Sequence, residues 1–202
     1  MSIKKQLEKY QNKRDFNLTA EPFGGDKGTP DAEKNIFVIQ RHEATNLHFD
    51  FRLLVDGVLK SWAVPKGPST NPEDKRLAVP TEDHPLEYAT FEGTIPKDQY
   101  GGGTVMVWDA GTFENMKKDE EGKEIPMIDQ LEKGSCSFYL HGKKLHGGYT
   151  LFRFKKGKKP LWMLKKIDDE KADARRNPVS TENESVLTGR TMEEIERDHQ
   201  KE

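Results

Sequence analysis

The stretch RHEATNLHFDFRL, from Arg41 to Leu53, decides how this chain folds. Successive side chains of a β-strand point to opposite faces, so positions 47, 49, 51 and 53 place four apolar side chains on one face. His48, Asp50 and Arg52 share the opposite face. The apolar face predicts a buried core, and the polar face predicts a functional surface.

Further strand-like segments flank this stretch, with a tight-turn signal at Asp56-Gly57. They cover residues 35–42, 59–64, 76–80, 104–109, 135–142, 147–154 and 160–167. About eight strands at short spacing predict an all-β barrel or sandwich. Residues 2–13 predict a short helix, and residues 21–31 predict a loop. Residues 81–96 predict an irregular or extended segment. A polar, mobile tail is expected from residue 168, ending in a helix that Thr191 and Glu194 begin with capping-box spacing.

The composition places further bounds on the protein. A length of 202 residues suits one domain, and 33% hydrophobic against 34% charged residues indicates a large polar surface or disordered ends. The net charge is −2, but residues 143–166 hold nine Lys or Arg and no acid, a stripe that could contact phosphates. One cysteine excludes an intramolecular disulfide and a cysteine-based zinc site, and no long apolar run occurs. A cytoplasmic protein without a membrane segment is expected.

His42, His48 and Asp50 form the strongest candidate site. Two imidazoles and one carboxylate make an open ligand set for a divalent metal, provided that the chain turns at residues 43–46. The alternative is a set of polar residues on a solvated face. Arg52 continues the same face and points to an anionic ligand, because its guanidinium matches phosphate oxygens.

Other polar residues are weaker candidates when each is taken alone. Lys66 and Arg76 lie on either side of a Gly/Pro-rich loop and are ordinary surface cations on the simpler interpretation. His84, between Glu82 and Tyr88, suits a general acid or a phosphate donor, or is an ordinary loop histidine. The YGGG run at 100–103 lacks a phosphate-loop pattern and is interpreted as a turn or a close backbone contact.

Six segments together resemble the 3′-phosphoesterase domain of DNA ligase D and its stand-alone relatives. They are FVIQRHEATNLHFDFRL (37–53), SWAVPKGPS (61–69), RLAVPTEDHPLEYATFEGTIP (76–96), YGGGTVMVWDAGT (100–112), LHGGYTLFR (145–153) and LWMLKK (161–166). The resemblance runs from about Arg14 to Ile167, and SVLTGR at 185–190 is similar to the linker that follows the domain. It implies a small antiparallel β-barrel at 31–167 with short peripheral helices, its active site on the concave face. A helix and loop at 1–30 would pack on the barrel, and a polar tail would occupy 168–202.

The resemblance also implies an activity. It implies a manganese-dependent enzyme, with cobalt as another possible metal, that removes a 3′-terminal ribonucleoside from DNA and then the remaining 3′-phosphate. It implies His42, His48 and Asp50 as metal ligands, and Arg52, His84 and Tyr88 around the scissile phosphate. Lys66 and Arg76 match positions of the monoesterase step, and further active-site matches are Arg14, Asp15, Glu21, Gln40 and Glu82. The implied partners are primer-template 3′ ends, ligase and polymerase domains, and Ku, with the chain itself a monomer.

Two other functions fit parts of the pattern. A non-haem iron oxygenase could use His48 and Asp50 with a distant His141 or His146, although His42 and the cations would then have no role. A barrel that only binds nucleic acid could stack bases on aromatic residues such as those of YTLFRF, residues 149–154, but it would need no metal ligands.

Overall fold

The computed structural model describes residues 2–25 and 35–199 of the chain. Its strands are β1 (Ile36–Glu43), β2 (Leu47–Val55), β3 (Val58–Val64), β4 (Lys75–Pro80), β5 (Gly93–Ile95), β6 (Gly103–Asn115), β7 (Ser135–His141), β8 (His146–Lys155) and β9 (Leu161–Lys166). Its helices are α1 (Ile3–Gln11), α2 (Met127–Lys133), α3 (Pro178–Thr181), α4 (Met192–His199) and a 3₁₀ helix at Leu86–Thr90. No helix within the described ranges combines the length and the apolar character that crossing a bilayer requires.

Eight strands close into an antiparallel barrel. Their order is β1-β2-β3-β4-β9-β8-β7-β6, and pairing of β1 with β6 completes the ring. The short strand β5 pairs with the beginning of β6, outside the ring. The predicted all-β barrel is thus confirmed, and the sandwich alternative is excluded because the sheet closes on itself.

The apolar face of β2 fills the barrel. Phe49, Phe51 and Leu53 are buried in one hydrophobic cluster to which all eight barrel strands contribute. Met127 of α2 and Met192 of α4 join the same cluster. The alternation in the opening stretch therefore predicted the core correctly at positions 49, 51 and 53. The prediction was wrong for Leu47, which is 45% exposed because it lies at the open beginning of β2.

The opposite face of β1 and β2 is covered by residues 2–25, here called the N-terminal cover, and by the 3₁₀ helix. Tyr10 of α1 and Tyr88 of the 3₁₀ helix pack on Val38, Leu54 and Val107, which point away from the barrel interior. The polar side chains of the same strand face lie beside this cluster. The site is therefore a concavity between the barrel's outer face and its N-terminal cover.

The C-terminal segment differs from the prediction of a mobile tail. The indole Nε1 of Trp108 donates to the carbonyl of Glu182 at 2.6 Å, and the hydroxyl of Thr70 donates to the carbonyl of Asp173 at 2.8 Å. Trp108 of β6 and Thr70 of the β3–β4 loop thus bind backbone carbonyls of the C-terminal segment. The polar composition of that segment gave no sign of these contacts. The final helix begins as predicted, with Thr191 and Glu194 forming a reciprocal capping box.

Some boundaries stay predictions. The proposed limit between the N-terminal cover and the barrel, at residues 30 and 31, lies outside the described residues, as does the end of the loop predicted at 21–31. The N-terminal helix is found at Ile3–Gln11, within the predicted 2–13. Helix α2 and strand β5 were not predicted, and the 3₁₀ helix and β5 lie in the segment expected to be irregular.

Candidate active site

The barrel register brings the three candidate metal ligands together. His42 lies directly opposite His48 in the antiparallel pair of β1 and β2, and Asp50 lies two residues further along β2 on the same face. His42 Nδ1 is 3.5 Å from Asp50 Oδ2, and His48 Nε2 is 3.8 Å from Asp50 Oδ1. The three ligand atoms lie within 4.8 Å of one another, which suits ligands that converge on one divalent ion.

Backbone carbonyls fix both imidazoles in the orientation that metal binding needs. His42 Nε2 is 2.8 Å from the carbonyl of Gly101, and His48 Nδ1 is 2.9 Å from the carbonyl of Asn46. A carbonyl only accepts hydrogen bonds, so each of these nitrogens carries the proton. The other nitrogen of each ring then faces Asp50, which is the arrangement typical of metal-binding histidines. The residues present therefore fit a metal ion.

Asp50 is held ionised. Burial alone would raise the pKa of its carboxyl, but Arg52, with Nη2 3.1 Å from Oδ2, and the two imidazoles hold that pKa well below its usual range. The carboxylate is therefore available as a charged metal ligand at neutral pH.

Arg52 is itself fixed by buried polar groups. Its Nε donates to Gln40 Oε1 and its Nη1 to Ser61 Oγ, both at 2.8 Å. The Gln40 amide in turn donates to the carbonyls of Tyr88 and Phe91, each at 3.0 Å. Gln40 thus lies behind the site and supports it, because all its polar atoms are occupied within the protein.

His84 is a buried, neutral imidazole. Burial lowers its pKa well below the ordinary histidine value, and the positive charges of Arg52 and Arg14 lower it further. Its Nδ1 lies 2.9 Å from Arg52 Nη1 and 2.8 Å from the carbonyl of Glu82. Nδ1 can accept a hydrogen bond from Arg52 or donate one to the Glu82 carbonyl. Nε2 carries a proton toward the pocket only in the tautomer whose Nδ1 accepts.

The N-terminal cover and residues 82–88 together form a largely buried charge network. Arg14 bridges two carboxylates, with Nε 2.9 Å from Glu21 Oε1 and Nη1 3.1 Å from Glu82 Oε1. The Tyr88 hydroxyl donates to Glu21 at 2.9 Å, and Lys13 binds Glu82 at 3.0 Å. Burial, followed by the nearby Glu21, raises the Tyr88 pKa well above its usual value, so the phenol stays protonated. This network joins residues far apart in sequence into one wall of the site.

These groups line a pocket of about 280 Å³. Nine of the predicted residues line it, namely Arg14, Glu21, His42, His48, Asp50, Arg52, Glu82, His84 and Tyr88. The lining also includes Ala44, Thr81, Ile95, Tyr100 and Gly101, which were not predicted as site residues. The proximity of the nine is an observation, and their individual roles stay predictions.

Four predicted residues do not line this pocket: Gln40, which lies behind Arg52, and three residues farther away. Lys66 is an exposed residue just after β3, and Arg76 on β4 is paired with Asp74 at 2.7 Å. Asp15 is exposed and accepts a hydrogen bond from the backbone of Asn17, which closes a local turn. Lys66, Arg76 and Asp15 could contact a bound substrate only if that substrate extends beyond the pocket.

The glycine run is explained by close backbone contacts, as predicted. Gly101 has a left-handed backbone with φ of 78°, which presents its carbonyl to His42. A Cβ on Gly102 would lie 2.6 Å from the carbonyl oxygen of Pro96. The run therefore orients His42, a candidate metal ligand, through the backbone, a role that a search for side-chain chemistry misses.

The fold and the site together define a class, small antiparallel β-barrels with a candidate metal centre on the outer face. The profile of the DNA ligase D 3′-phosphoesterase domain matches residues 40–153, which carry all three candidate ligands. The chain belongs to this family, and it is therefore a phosphoesterase of the hydrolase class.

Relatives in several bacteria support this assignment. The chain is 45% identical over 195 residues to the multifunctional non-homologous end joining protein LigD of Pseudomonas aeruginosa, covering 95% of this chain and 22% of that protein. It is 41% identical over 166 residues to the LigD protein of Mycobacterium tuberculosis, covering 82% of this chain and 20% of the relative. The chain thus spans about a fifth of the length of these relatives.

Proposed function

We propose that this protein heals DNA 3′ ends with the help of a divalent metal, Mn²⁺ in the first instance. It removes a 3′-terminal ribonucleoside by cleaving the bond between phosphorus and the 5′-oxygen of that nucleoside. It then removes the remaining 3′-phosphate and leaves a 3′-OH for ligation. The family match and the end-joining names of its relatives support this proposal.

The observation that carries the proposal is the charge balance around the metal ligands. Lys13, Arg14 and Arg52 supply three positive charges, and the three carboxylates of the network, Asp50, Glu21 and Glu82, offset them. Because His84 is neutral, the protein frame has almost no net charge. A divalent ion would leave about two positive charges, which matches a phosphate carrying one to two negative charges.

The side chains have separate tasks in this scheme. A bound divalent ion supplies Lewis-acid stabilisation of the charge that builds on a phosphate oxygen. Arg14 offers its Nη2 to the phosphate, since that atom has only a 3.4 Å contact with His84. In the tautomer whose Nδ1 accepts from Arg52, His84 also donates to the phosphate from Nε2. In the tautomer whose Nδ1 donates to the Glu82 carbonyl, Nε2 accepts from Arg14, and Arg14 is then the donor to oxygens whose negative charge grows in the transition state.

A primer-template test decides this proposal. A labelled primer ending in one ribonucleotide is incubated with the protein, with Mn²⁺ or with EDTA, and the products are resolved on a gel. We expect a 3′-phosphate species that is converted to a 3′-OH, both only with metal. Equal turnover in EDTA, or no turnover with Mn²⁺, Co²⁺ or other divalent ions, would contradict it.

The oxygenase alternative is disfavoured by the positions of the other histidines. His141 binds Glu114 at 2.8 Å, and neither His141 nor His146 belongs to the metal-ligand cluster found within the described residues. Two histidines and one carboxylate also hold iron in oxygenases, so the ligand set alone does not exclude that chemistry. Turnover of a 3′-phosphorylated oligonucleotide without oxygen or a 2-oxo acid would separate the two functions.

A barrel that only binds nucleic acid would need no metal ligands. The fixed tautomers of His42 and His48 are then without purpose, which is why we favour an enzyme. If binding were the sole function, His48→Ala would retain DNA affinity and there would be no activity to lose. The proposed partners are DNA 3′ ends, the ligase and polymerase domains of end joining, and Ku, with a monomer as the proposed state.

A further inference from the structure

Tyr100 is an exposed aromatic residue at the rim of the pocket that the proposed chemistry does not use. Its side chain lines the pocket and remains 47% exposed. The next residue, Gly101, provides the carbonyl that holds His42. Tyr100 is therefore the chain neighbour of the residue whose carbonyl orients His42.

The ring is held in place by charged neighbours. The Tyr100 hydroxyl accepts from Lys13 Nζ at 2.9 Å and lies 3.4 Å from Glu82 Oε2. Lys13 Nζ also lies 4.3 Å from the ring centroid, and the Arg14 guanidinium lies 5.5 Å from it. Cations attracted to the ring face fix its orientation, so this aromatic is preorganised although it is half exposed.

The size of the pocket decides which part of a substrate meets Tyr100. Pockets that enclose a small ligand begin at about 300 Å³, and this pocket measures about 280 Å³ with the metal ligands among its lining. A phosphate bound there leaves room for a sugar, while the base extends to the rim. The other pocket aromatic, Tyr88, is 2% exposed and binds Glu21 through its hydroxyl, so it has no free ring face of comparable size.

We propose that Tyr100 is the platform on which the base of the 3′-terminal nucleoside stacks, an inference that rests on the proposed function. Every base has a π-face, so such a platform accepts any of them, as end healing requires. The base belongs to the nucleoside that leaves in the first step. Tyr100 therefore aids nucleoside release, and it has no part in removing the 3′-phosphate that remains.

The test compares two primers that differ only in the terminal base. One primer ends in uridine, and the other ends in 1′-deoxyribose, which keeps the 2′-OH but has no base. Stacking on an aromatic changes affinity by about five- to 150-fold per base. We expect the wild-type kcat/KM to favour the uridine primer by a factor in that range, mostly through KM.

Three variants separate stacking from support of the site. Tyr100→Ala should bring the uridine-to-baseless ratio close to one and leave the rate of 3′-phosphate removal as in the wild type. Tyr100→Phe keeps the ring, so it should keep the ratio although the hydrogen bond from Lys13 to the hydroxyl is lost. Phe154→Ala is the matched control, because Phe154 is 49% exposed and does not line the pocket; its ratio should stay at the wild-type value.

Two results would overturn the inference, and they are distinguishable from failure of the proposed function. If Tyr100→Ala slows both primers and the phosphatase step equally, the residue supports Lys13 and Gly101 and does not bind the base. If the wild type shows no preference for the uridine primer, the platform is absent. Only a wild type that releases no nucleoside from either primer would contradict the proposed function as well.

Discussion

His48→Ala offers a test of the metal site that does not depend on any activity. The His48 side chain is 22% exposed, and its polar contacts are the Asn46 carbonyl and Asp50. Its removal leaves no buried charge unpaired and should cost about 0.5–1.5 kcal/mol for the lost hydrogen bond. Asp50→Ala is less suitable, because it would leave the buried Arg52 without its carboxylate partner.

The expected magnitude follows from linkage between metal binding and folding. A metal at a hundred times its Kd stabilises the folded state by about 2.7 kcal/mol. For a protein of this length, one kcal/mol shifts Tm by roughly 2–4 °C, so Mn²⁺ should raise the wild-type Tm by about 5–11 °C. Loss of one of three ligands should weaken binding at least about 100-fold, which leaves no more than about 0.4 kcal/mol at the same concentration.

The assay is thermal unfolding of each protein in EDTA and in Mn²⁺. His146→Ala is the matched control, because His146 is exposed at the β7–β8 turn and should show the full wild-type shift. We expect His48→Ala to unfold about 1–6 °C below the wild type in EDTA and to gain less than about 2 °C from Mn²⁺. A wild-type shift in His48→Ala would refute the assignment of this residue as a ligand.

Three further predictions concern the reaction and its setting. A primer ending in a ribonucleotide should be trimmed and an all-DNA primer should not; equal trimming on a gel would show that the 2′-OH is not recognised. Lys66→Ala or Arg76→Ala should accumulate 3′-phosphate ends in a time course, with the second step slowed about ten- to a hundredfold, because a monoester carries more negative charge than a diester. Equal slowing of both steps would mean that these cations, which lie outside the pocket, do not distinguish the two phosphates. Although burial opposes it, hydrogen bonding and attraction from Lys13 and Arg14 lower the pKa of Glu82. Its contribution to stability is therefore present above the unfolded-state pKa of about 4.3 and is lost as the pH falls through the folded-state value. Glu82→Gln should flatten that acid limb of the unfolding free energy, and an unchanged acid limb would contradict the assignment.

The barrel could be predicted because strand alternation is a local signal. Phe49, Phe51 and Leu53 alternate with polar residues, and that pattern alone identifies the buried face. Helix α2 was missed because it follows a charged loop and spans only Met127–Lys133, about two turns. The helix ends at Gly134, whose left-handed backbone has a φ of 92°. That glycine is the helix-stop signal that the sequence offered there.

The basic run at 143–166 shows why charge patterns alone are poor guides to function. Lys144 lies inside the fold, with Nζ donating to the carbonyls of Glu182 and Glu184. Lys166 is fully buried and binds Asp169 at 2.6 Å. These two lysines hold the C-terminal segment against the barrel, so part of the stripe expected to contact phosphates has a structural role.

The site was predictable only in the part that one strand carries. His48, Asp50 and Arg52 share a face by alternation, and a turn at residues 43–46 suffices to bring in His42. Arg14, Glu21 and Glu82 reach the pocket from separate segments, and only the family resemblance pointed to them. The Gly101 carbonyl was missed because a backbone acceptor leaves no side-chain signature. Tyr100 was missed because no local pattern places residue 100 beside the polar face of β2.

The balanced charges of the site bear on the order in which metal and substrate bind. Without a metal, three carboxylates offset Lys13, Arg14 and Arg52, so the pocket offers a phosphate little net attraction. A bound divalent ion changes that balance by two charges within a partly buried site, where electrostatic interactions are stronger than in water. If the site holds a metal, we expect metal binding to precede productive phosphate binding, and by linkage a bound phosphate would tighten the metal by the same factor. We therefore expect phosphate to bind weakly in EDTA and more tightly with Mn²⁺, and equal phosphate affinity under both conditions would contradict this coupling.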